Sequence, residues 1–171
     1  DAPWSRLPAA ELRARVGAAM ELDLAVDPTD AANVSVGRIS GGGIFRSTLG
    51  GTGGWLPGSP AVASFRVRAL AVSPRDPRIV LAGSEIEGLR RSDDRGATWS
   101  TPSISSPGIA SLLFDPQTPG TVYAGGYDGF ASRSDDDGQT WSSGRLVGGI
   151  VRAFAIDAPD ARRVYAGTDA G

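Results

Sequence analysis

The sequence repeats itself with a step of 42 residues, and a repeat of this length limits the fold more than any other feature of the chain. The step separates three glycines, Gly83, Gly125 and Gly167, and an earlier copy places Gly37 46 residues before the first of them. Nine residues before these four glycines lie Pro28, Pro74, Pro116 and Ala158. Four copies in phase predict four structural units of one kind, stacked side by side.

Each copy contains two short apolar runs, which predict two β-strands. The runs are rich in β-branched and aromatic residues and are bounded by turn-forming residues. The first runs predict inner strands near 22–27, 68–73, 110–115 and 152–157. The second runs predict strands near 33–37, 78–83, 121–125 and 163–167. Because the runs are almost continuously apolar, we expect both faces of these strands to be covered.

A more specific pattern, S-x-D-x-G-x-T-W, follows a predicted third strand that ends in Arg-Ser. The pattern occurs twice, 42 residues apart, as Ser92, Asp94, Gly96, Thr98 and Trp99 and as Ser134, Asp136, Gly138, Thr140 and Trp141. A degenerate copy without the aspartate runs from Ser47 to Trp55. This pattern resembles the Asp-box, or BNR, repeat, and the resemblance covers nearly the whole chain from about Trp4 onward. The resemblance implies an all-β fold, a β-propeller of four-stranded antiparallel blades.

The residues of this pattern have a structural interpretation of their own. Aspartates at positions 94 and 136 can accept hydrogen bonds from turn amides, and the following glycines can supply a positive φ. Trp99 and Trp141 then return to the sheet, where we expect them to be largely buried between blades. A calcium loop is the alternative, but it requires a glutamate six residues after the glycine, and Gly144 holds that position.

The ends of the chain do not complete the repeat. We expect residues 1–20 to hold a stray outer strand, opened by Trp4, and a short helix carrying the stripe Leu12, Val16 and Met20. Residues 21–171 are expected to form three complete blades and part of another. Two interpretations stay open: the chain belongs to a longer one, or it forms a four-blade ring whose last blade lacks a third strand. Either way, an open sheet edge is expected to need a partner.

Composition excludes several classes of function. The chain has neither cysteine nor histidine, which removes thiol nucleophiles, Ser-His-Asp triads, Cys/His zinc sites and disulfides. The net charge of −2, with both signs scattered, argues against a nucleic-acid partner. No apolar run approaches the ~20 residues that span a bilayer. We expect neither a cofactor nor a metal site.

The propeller resemblance places a candidate binding face at the loops between second and third strands. On successive blades these loops carry Glu85, Glu87, Tyr127, Asp128 and Asp169. Arg66, Arg68 and Arg152 enter the inner strands from the same side. Two carboxylates at this rim could flank a glycosidic bond, as in the sialidases and xyloglucan-cleaving endoglucanases that share the repeat. However, Ser40 occupies the position of the endoglucanases' catalytic aspartate, and the sialidase arginine cluster is not recognisable, so we assign no catalytic residue.

The resemblance also extends to photosystem II assembly and stability factors and to sortilin-type sorting receptors, which use a propeller as a docking surface. It therefore implies a non-enzymatic interaction module, a docking scaffold or accessory subunit of a larger, membrane-bound assembly. A protein partner is expected outside the cytoplasm, a location that rests on the resemblance alone. The alternative is a carbohydrate-active propeller, a glycoside hydrolase or a sugar-binding module, that uses the rim carboxylates.

Overall fold

The structure is a computed structural model and describes residues 22–39, 42–52, 54–145, 148–157 and 163–170. The strands in these ranges are β1 (Leu22–Val26), β2 (Val34–Arg38), β3 (Ile44–Ser47), β4 (Leu56–Pro57), β5 (Val67–Val72), β6 (Val80–Ser84), β7 (Gly88–Ser92), β8 (Ile109–Phe114), β9 (Val122–Gly126), β10 (Phe130–Ser134), β11 (Ser142–Arg145), β12 (Val151–Ile156) and β13 (Val164–Thr168). A short 3₁₀ helix, Pro60–Val62, is the only helix among the described residues. The predicted stray strand and helix within residues 1–20 lie outside them.

The strands form four antiparallel sheets in chain order. The first sheet has the order β1-β2-β3-β4, and the third has the corresponding order β8-β9-β10-β11. The second contains β5-β6-β7, with Ser100 bridged to Arg91 where a fourth strand would run. The last contains β12-β13. The first two strands of every sheet lie within two residues of their predicted positions, which confirms the prediction of four repeated units.

The four sheets pack side by side as the blades of a β-propeller do. Their first strands are neighbours in the order β1, β5, β8 and β12, so these strands are the inner ones. One apolar cluster joins the first and second sheets and includes Ala25, Phe65 and Leu70. A second joins the second and third sheets and includes Leu81 and Phe114. The core therefore lies between sheets. The prediction that both faces of the inner strands are covered is wrong for β1, where Leu24 and Val26 are exposed, because none of the described residues forms a sheet over that face.

A glycine in the second strand of each of the first three sheets allows the next sheet to approach closely. A Cβ built on Gly37 would lie 2.5 Å from the Cβ of Val67, the first residue of β5. The same construction on Gly83 comes within 2.8 Å of the Cβ of Ile109, which begins β8. On Gly125 it comes within 2.7 Å of the Cβ of Val151. Real Cβ atoms do not approach this closely, so these positions require glycine.

The two complete S-x-D-x-G-x-T-W segments form hydrogen-bonded turns with the same set of bonds. In the turn after β7, the Gly96 N–H donates to the Ser92 hydroxyl at 2.8 Å, and the Thr98 N–H and hydroxyl donate to Asp94 at 2.7 and 2.6 Å. The indole N–H of Trp99 closes the turn on the Gly96 carbonyl at 3.0 Å. Gly96 has φ 81° and its counterpart Gly138 has φ 82°.

The second turn repeats these bonds. The Ser134 hydroxyl accepts from Gly138 at 2.9 Å and donates to Asp136 at 2.7 Å, while Thr140 donates twice to Asp136. Trp141 bonds the Gly138 carbonyl at 3.1 Å. Trp99 and Trp141 are partly buried, less than the sequence predicts, because each ring packs on one apolar cluster with its other side near the surface.

Candidate functional site

The inner strands line a groove of about 320 Å³ at the middle of the four sheets. Each sheet contributes a polar side chain or a small residue to its wall: Asp23 from β1, Arg68 from β5, Ser111 from β8 and Arg152 from β12. Leu70, Leu112 and Phe154 give the same groove an apolar component. The loops between second and third strands open at one end of the groove, and we call that end the rim.

Two arginine–carboxylate pairs repeat at equivalent rim positions. Arg68 in the second sheet pairs with Glu85 at 2.8 Å, and Arg152 in the fourth sheet pairs with Asp169 at 3.2 Å. Both arginines precede their partners by 17 residues, and the two pairs are 84 residues, or two repeats, apart. All four side chains are at least one-third exposed, so the pairs contribute little stability but present both charges to solvent.

The third sheet breaks this pattern. Ala110 stands at the arginine position and Tyr127 at the carboxylate position. The Arg152 guanidinium carbon lies 5.9 Å from the centre of the Tyr127 ring, a cation–π contact that links the third and fourth sheets. Between the two arginine–carboxylate pairs the third sheet therefore presents the Tyr127 ring and the small side chain of Ala110.

The other two rim carboxylates join their own loops to the segments that precede the first strands of their sheets. Glu87 accepts from the Arg66 N–H at 2.9 Å and from the Ser84 hydroxyl at 3.2 Å. Asp128 accepts from the Ser106 hydroxyl at 2.9 Å and from the Phe130 N–H at 3.3 Å. These bonds fix the loop backbone, as turn carboxylates usually do.

A fifth carboxylate, Asp23, lies inside the groove and was not predicted. It accepts a hydrogen bond from the Leu70 N–H and so joins the first sheet to the second. Burial raises the pKa of this carboxyl above its ordinary value, against the lowering effect of the bonds from Leu70 and Leu24. The sequence could have pointed to Asp23, because it is a charged residue on an inner strand. The equivalent positions in the other copies hold Ala69, Ser111 and Ala153.

The structure brings the predicted rim residues to one end of the sheets. The two hydrogen-bonded S-x-D-x-G-x-T-W turns, 92–99 and 134–141, lie at the other end, and we call them the tied turns. The tied turns lie beside the turns between first and second strands of the preceding sheet. Asp137 accepts from the Ser73 hydroxyl at 2.9 Å, and Arg95 lies 3.7 Å from Asp27. The tied turns therefore join neighbouring sheets at the end opposite the rim.

Tyr123 and Tyr165 align with Leu81 in the repeat, and this alignment predicts that both pack in the core. The structure gives the two residues different outcomes. Tyr123 is partly buried, and its ring lies 5.9 Å from the Phe154 ring of the next sheet. The prediction is wrong for Tyr165, whose exposed fraction is 58%. The physical reason is that none of the described residues forms a sheet over the face of β12-β13 on which Tyr165 lies.

Within the described ranges, no three His, Cys, Asp or Glu side chains are grouped in a way that could hold a metal ion. None of the helices found in those ranges is long and apolar enough to cross a membrane.

Comparison with known proteins places the fold. No family profile and no curated protein matches the sequence. The chain is similar to the GH74 xyloglucanase from Xanthomonas campestris, with 24% identity and a TM-score of 0.64 over 80% of this chain and 25% of that one. It is also similar to an ancestral GH74 enzyme, with 20% identity and a TM-score of 0.65 over 86% and 24%. YCF48 bound to D1 peptide matches with 13% identity and a TM-score of 0.57 over 80% and 43%.

These likenesses establish a β-propeller fold. The chain spans about a quarter of the length of the GH74 enzymes and less than half that of YCF48. Because enzymes and a peptide-bound protein share the fold, the fold alone does not choose between catalysis and binding.

Proposed function

We propose that this chain is a non-enzymatic, Asp-box type propeller module that docks an extended segment of a protein partner at the rim. The observation that carries the proposal is the pair of exposed arginine–carboxylate contacts, Arg68–Glu85 and Arg152–Asp169, on either side of the third sheet with its Tyr127 ring. A peptide offers both carbonyl acceptors and amide donors, so a rim with alternating positive and negative groups can bind its backbone from both sides.

The groove suits a peptide that carries both charged and apolar side chains. Its walls combine arginines with Leu112 and Phe154, which suits a peptide with one acidic and one apolar side chain. Tyr127 supplies an amphipathic edge of the kind enriched at binding interfaces. YCF48, to which the chain is similar in fold, is described in complex with D1 peptide, and that complex supports the same use of this fold.

Hydrolysis of a carbohydrate is less well supported by the contacts of the rim. A glycosidase needs one carboxyl positioned as a proton donor and another facing the sugar. Here Glu85 and Asp169 pair with arginines, and Glu87 and Asp128 accept bonds from Arg66 and Ser106 in the segments that precede the first strands of their sheets. The sequence also has Ser40 where the resembling endoglucanases have their catalytic aspartate.

The cellular location of the module and its role in a larger assembly are inferred from the resemblance and are part of the proposal. We place it outside the cytoplasm, as an accessory subunit or scaffold of a larger assembly. Fractionation of cells that produce the protein tests this location, which would be contradicted by recovery in the cytoplasm alone.

The binding proposal is tested with peptides selected from a random 12-residue display library on the purified chain. Their dissociation constants are then measured for the parent chain, for Arg152→Ala and for Gln139→Ala, an exposed change on the opposite end. We expect Arg152→Ala to weaken binding about tenfold, because it removes a charged contact and the support of Tyr127, while Gln139→Ala leaves it unchanged.

Equal affinities for all three proteins would contradict docking at the rim. Release of sugar from xyloglucan or a sialoside, abolished by Glu85→Gln or Asp128→Asn, would establish the hydrolase alternative. Saturable binding of a soluble oligosaccharide without turnover would instead establish a sugar-binding module.

A further inference from the structure

The joint between the first and second sheets contains a small polar cavity beside the tied turn 92–99. Arg46, Ser47 and Thr48 line it from the first sheet, and Val72 and Val80 form its wall on the second. Its volume is about 20 Å³, and a single water molecule needs about 10–15 Å³ of such space. The joint cavity, as we call it, therefore has room for one monatomic ion or a water molecule and excludes larger groups such as phosphate.

Arg46 reaches this cavity without an acceptor for its guanidinium group. The side chain is partly buried, and its Nε is fully buried with no hydrogen-bond partner in the part of the chain that the structure describes. A buried cationic donor that has lost its hydration and gained no acceptor is unfavourable. The geometry therefore calls for an acceptor in the cavity.

The other two copies of the repeat show which groups fill this role. The equivalent arginines, Arg91 and Arg133, each pair with a carboxylate two residues later, as Arg91–Asp93 and Arg133–Asp135, both at 2.6 Å. The Arg91 Nε also donates to the Asp137 carbonyl of the next sheet at 2.9 Å. The arginine of this position is thus normally compensated by a negative charge from its own turn.

The first copy lacks that negative charge. Thr48 stands at the position of the two paired carboxylates, and Arg95 stands at the position of Asp137. Arg95 also lines the cavity, but it lies 3.7 Å from the buried carboxylate of Asp27. Asp27 in turn accepts three hydrogen bonds from residues 29 and 30. The lining therefore carries two arginines and one carboxylate, which leaves the charge of Arg46 uncompensated.

We propose that the joint cavity is a binding site for a small inorganic anion of the halide class, such as chloride. The ion accepts hydrogen bonds from the Arg46 guanidinium and the Thr48 hydroxyl, and it takes the place of the carboxylate that the other copies supply. The valine wall keeps water away on one side, which strengthens the attraction between the ion and the guanidinium. This inference concerns the end of the sheets opposite the rim and is independent of the proposed rim function.

The first experiment measures the thermal midpoint of the full chain as sodium chloride replaces sodium gluconate at constant ionic strength. Constant ionic strength removes the general effect of screening, and gluconate is too large for the cavity. The reference variant is Thr48→Asp, whose carboxylate is expected to pair with Arg46 as Asp93 pairs with Arg91. Because an ion that binds only the folded chain stabilises it, we expect chloride to raise the midpoint of the parent by at least about 3 °C more than that of Thr48→Asp.

Thr52→Asp is the matched control for the added charge. Thr52 belongs to the same turn as Thr48, but it is exposed and does not line the cavity. This variant should keep the full chloride dependence of the parent. Loss of the dependence in Thr48→Asp alone would therefore locate the ion at Arg46.

The second experiment follows binding of the ion itself through the line width of the chloride NMR signal. Arg46→Met removes the main ligand, so we expect the broadening caused by the protein to fall at least about threefold. Arg133→Met is the matched control, because it removes the equivalent arginine of the third sheet, which is already paired with Asp135. Its broadening should equal that of the parent.

The proposal is overturned by any of three results. A chloride effect on the midpoint that differs by less than about 1 °C between the parent and Thr48→Asp would mean that the cavity holds water. Loss of the chloride effect in Thr52→Asp as well would mean that the ion responds only to the charge of the turn. Equal broadening for Arg46→Met and Arg133→Met would mean that chloride binds elsewhere on the chain.

Discussion

Removal of the Asp136 carboxylate tests the tied turns, which join neighbouring sheets. Asp136 accepts four hydrogen bonds: from Ser134 at 2.7 Å, from the Gln139 N–H at 3.0 Å, and from the Thr140 N–H and hydroxyl at 2.8 and 2.6 Å. Burial alone would raise the pKa of this carboxyl, but the bonds from Thr140, Ser134 and Gln139 outweigh it and lower the pKa to about 2. The charged form is therefore favoured by folding.

The magnitude follows from the same contacts. A shift from 3.8 to about 2 corresponds to roughly 2 kcal/mol, and partial exposure of the turn reduces this to about 1–2 kcal/mol. Asp136→Ala also leaves the Thr140 N–H without its acceptor, so we expect a total loss of about 2–3 kcal/mol. For a chain of this size the thermal midpoint should fall by about 4–10 °C.

The assay is thermal and denaturant unfolding of the parent, Asp136→Ala, Asp136→Asn and the control Gln139→Ala between pH 7 and pH 2. Because the folded-state pKa is lowered, the contribution is present above the unfolded value near 4 and disappears as the pH falls toward 2. The difference in unfolding free energy between the parent and Asp136→Asn should therefore fall to zero between pH 4 and pH 2. A difference that stays constant with pH would refute the reasoning, as would a thermal midpoint of Asp136→Ala equal to that of Gln139→Ala.

Three further predictions concern the joints and the groove. Trp141→Ala should lower the free energy of unfolding by about 2–4 kcal/mol in a urea titration, less than for a fully buried ring, and an unchanged midpoint would mean that the ring does not support the joint. Gly125→Val should cost about 3 kcal/mol, because its Cβ would clash with Val151, whereas Gly144→Val should be nearly neutral; equal losses would contradict the proposed joint geometry. Asp23→Asn should be slightly stabilising at pH 7, since the raised pKa of Asp23 means that its charged form disfavours folding as the pH rises through that pKa. This gain should vanish below about pH 4, and a destabilising effect at pH 7 would contradict the account.

The repeat made most of the fold predictable. Inner and second strands follow from apolar runs in phase with Gly37, Gly83 and Gly125, and the structure explains the phase, because each glycine receives the first residue of the next inner strand. The turn bonds of Asp94 and Asp136 could be predicted because all partners lie within four residues in the sequence. Hydrogen bonds between residues this close in the sequence can be predicted from the residue types and their spacing.

The rim was predictable as a set of residues but not as a set of contacts. The sequence places Glu85 and Asp169 at one end of the sheets, yet it does not pair them with Arg68 and Arg152. The recurring 17-residue spacing is the signal that could have revealed both pairs. Burial of Tyr165 could not be predicted correctly from its alignment with Leu81, because burial depends on a covering sheet as well as on the residue itself.

Hydrogen–deuterium exchange of the chain with and without a selected peptide tests the central claim most directly, because it reports which end of the sheets the partner contacts. The account predicts slowed exchange in the rim loops 84–88 and 126–130, with exchange unchanged in the tied turns 92–99 and 134–141. Slowed exchange in the tied turns together with unchanged rim loops would contradict docking at the rim.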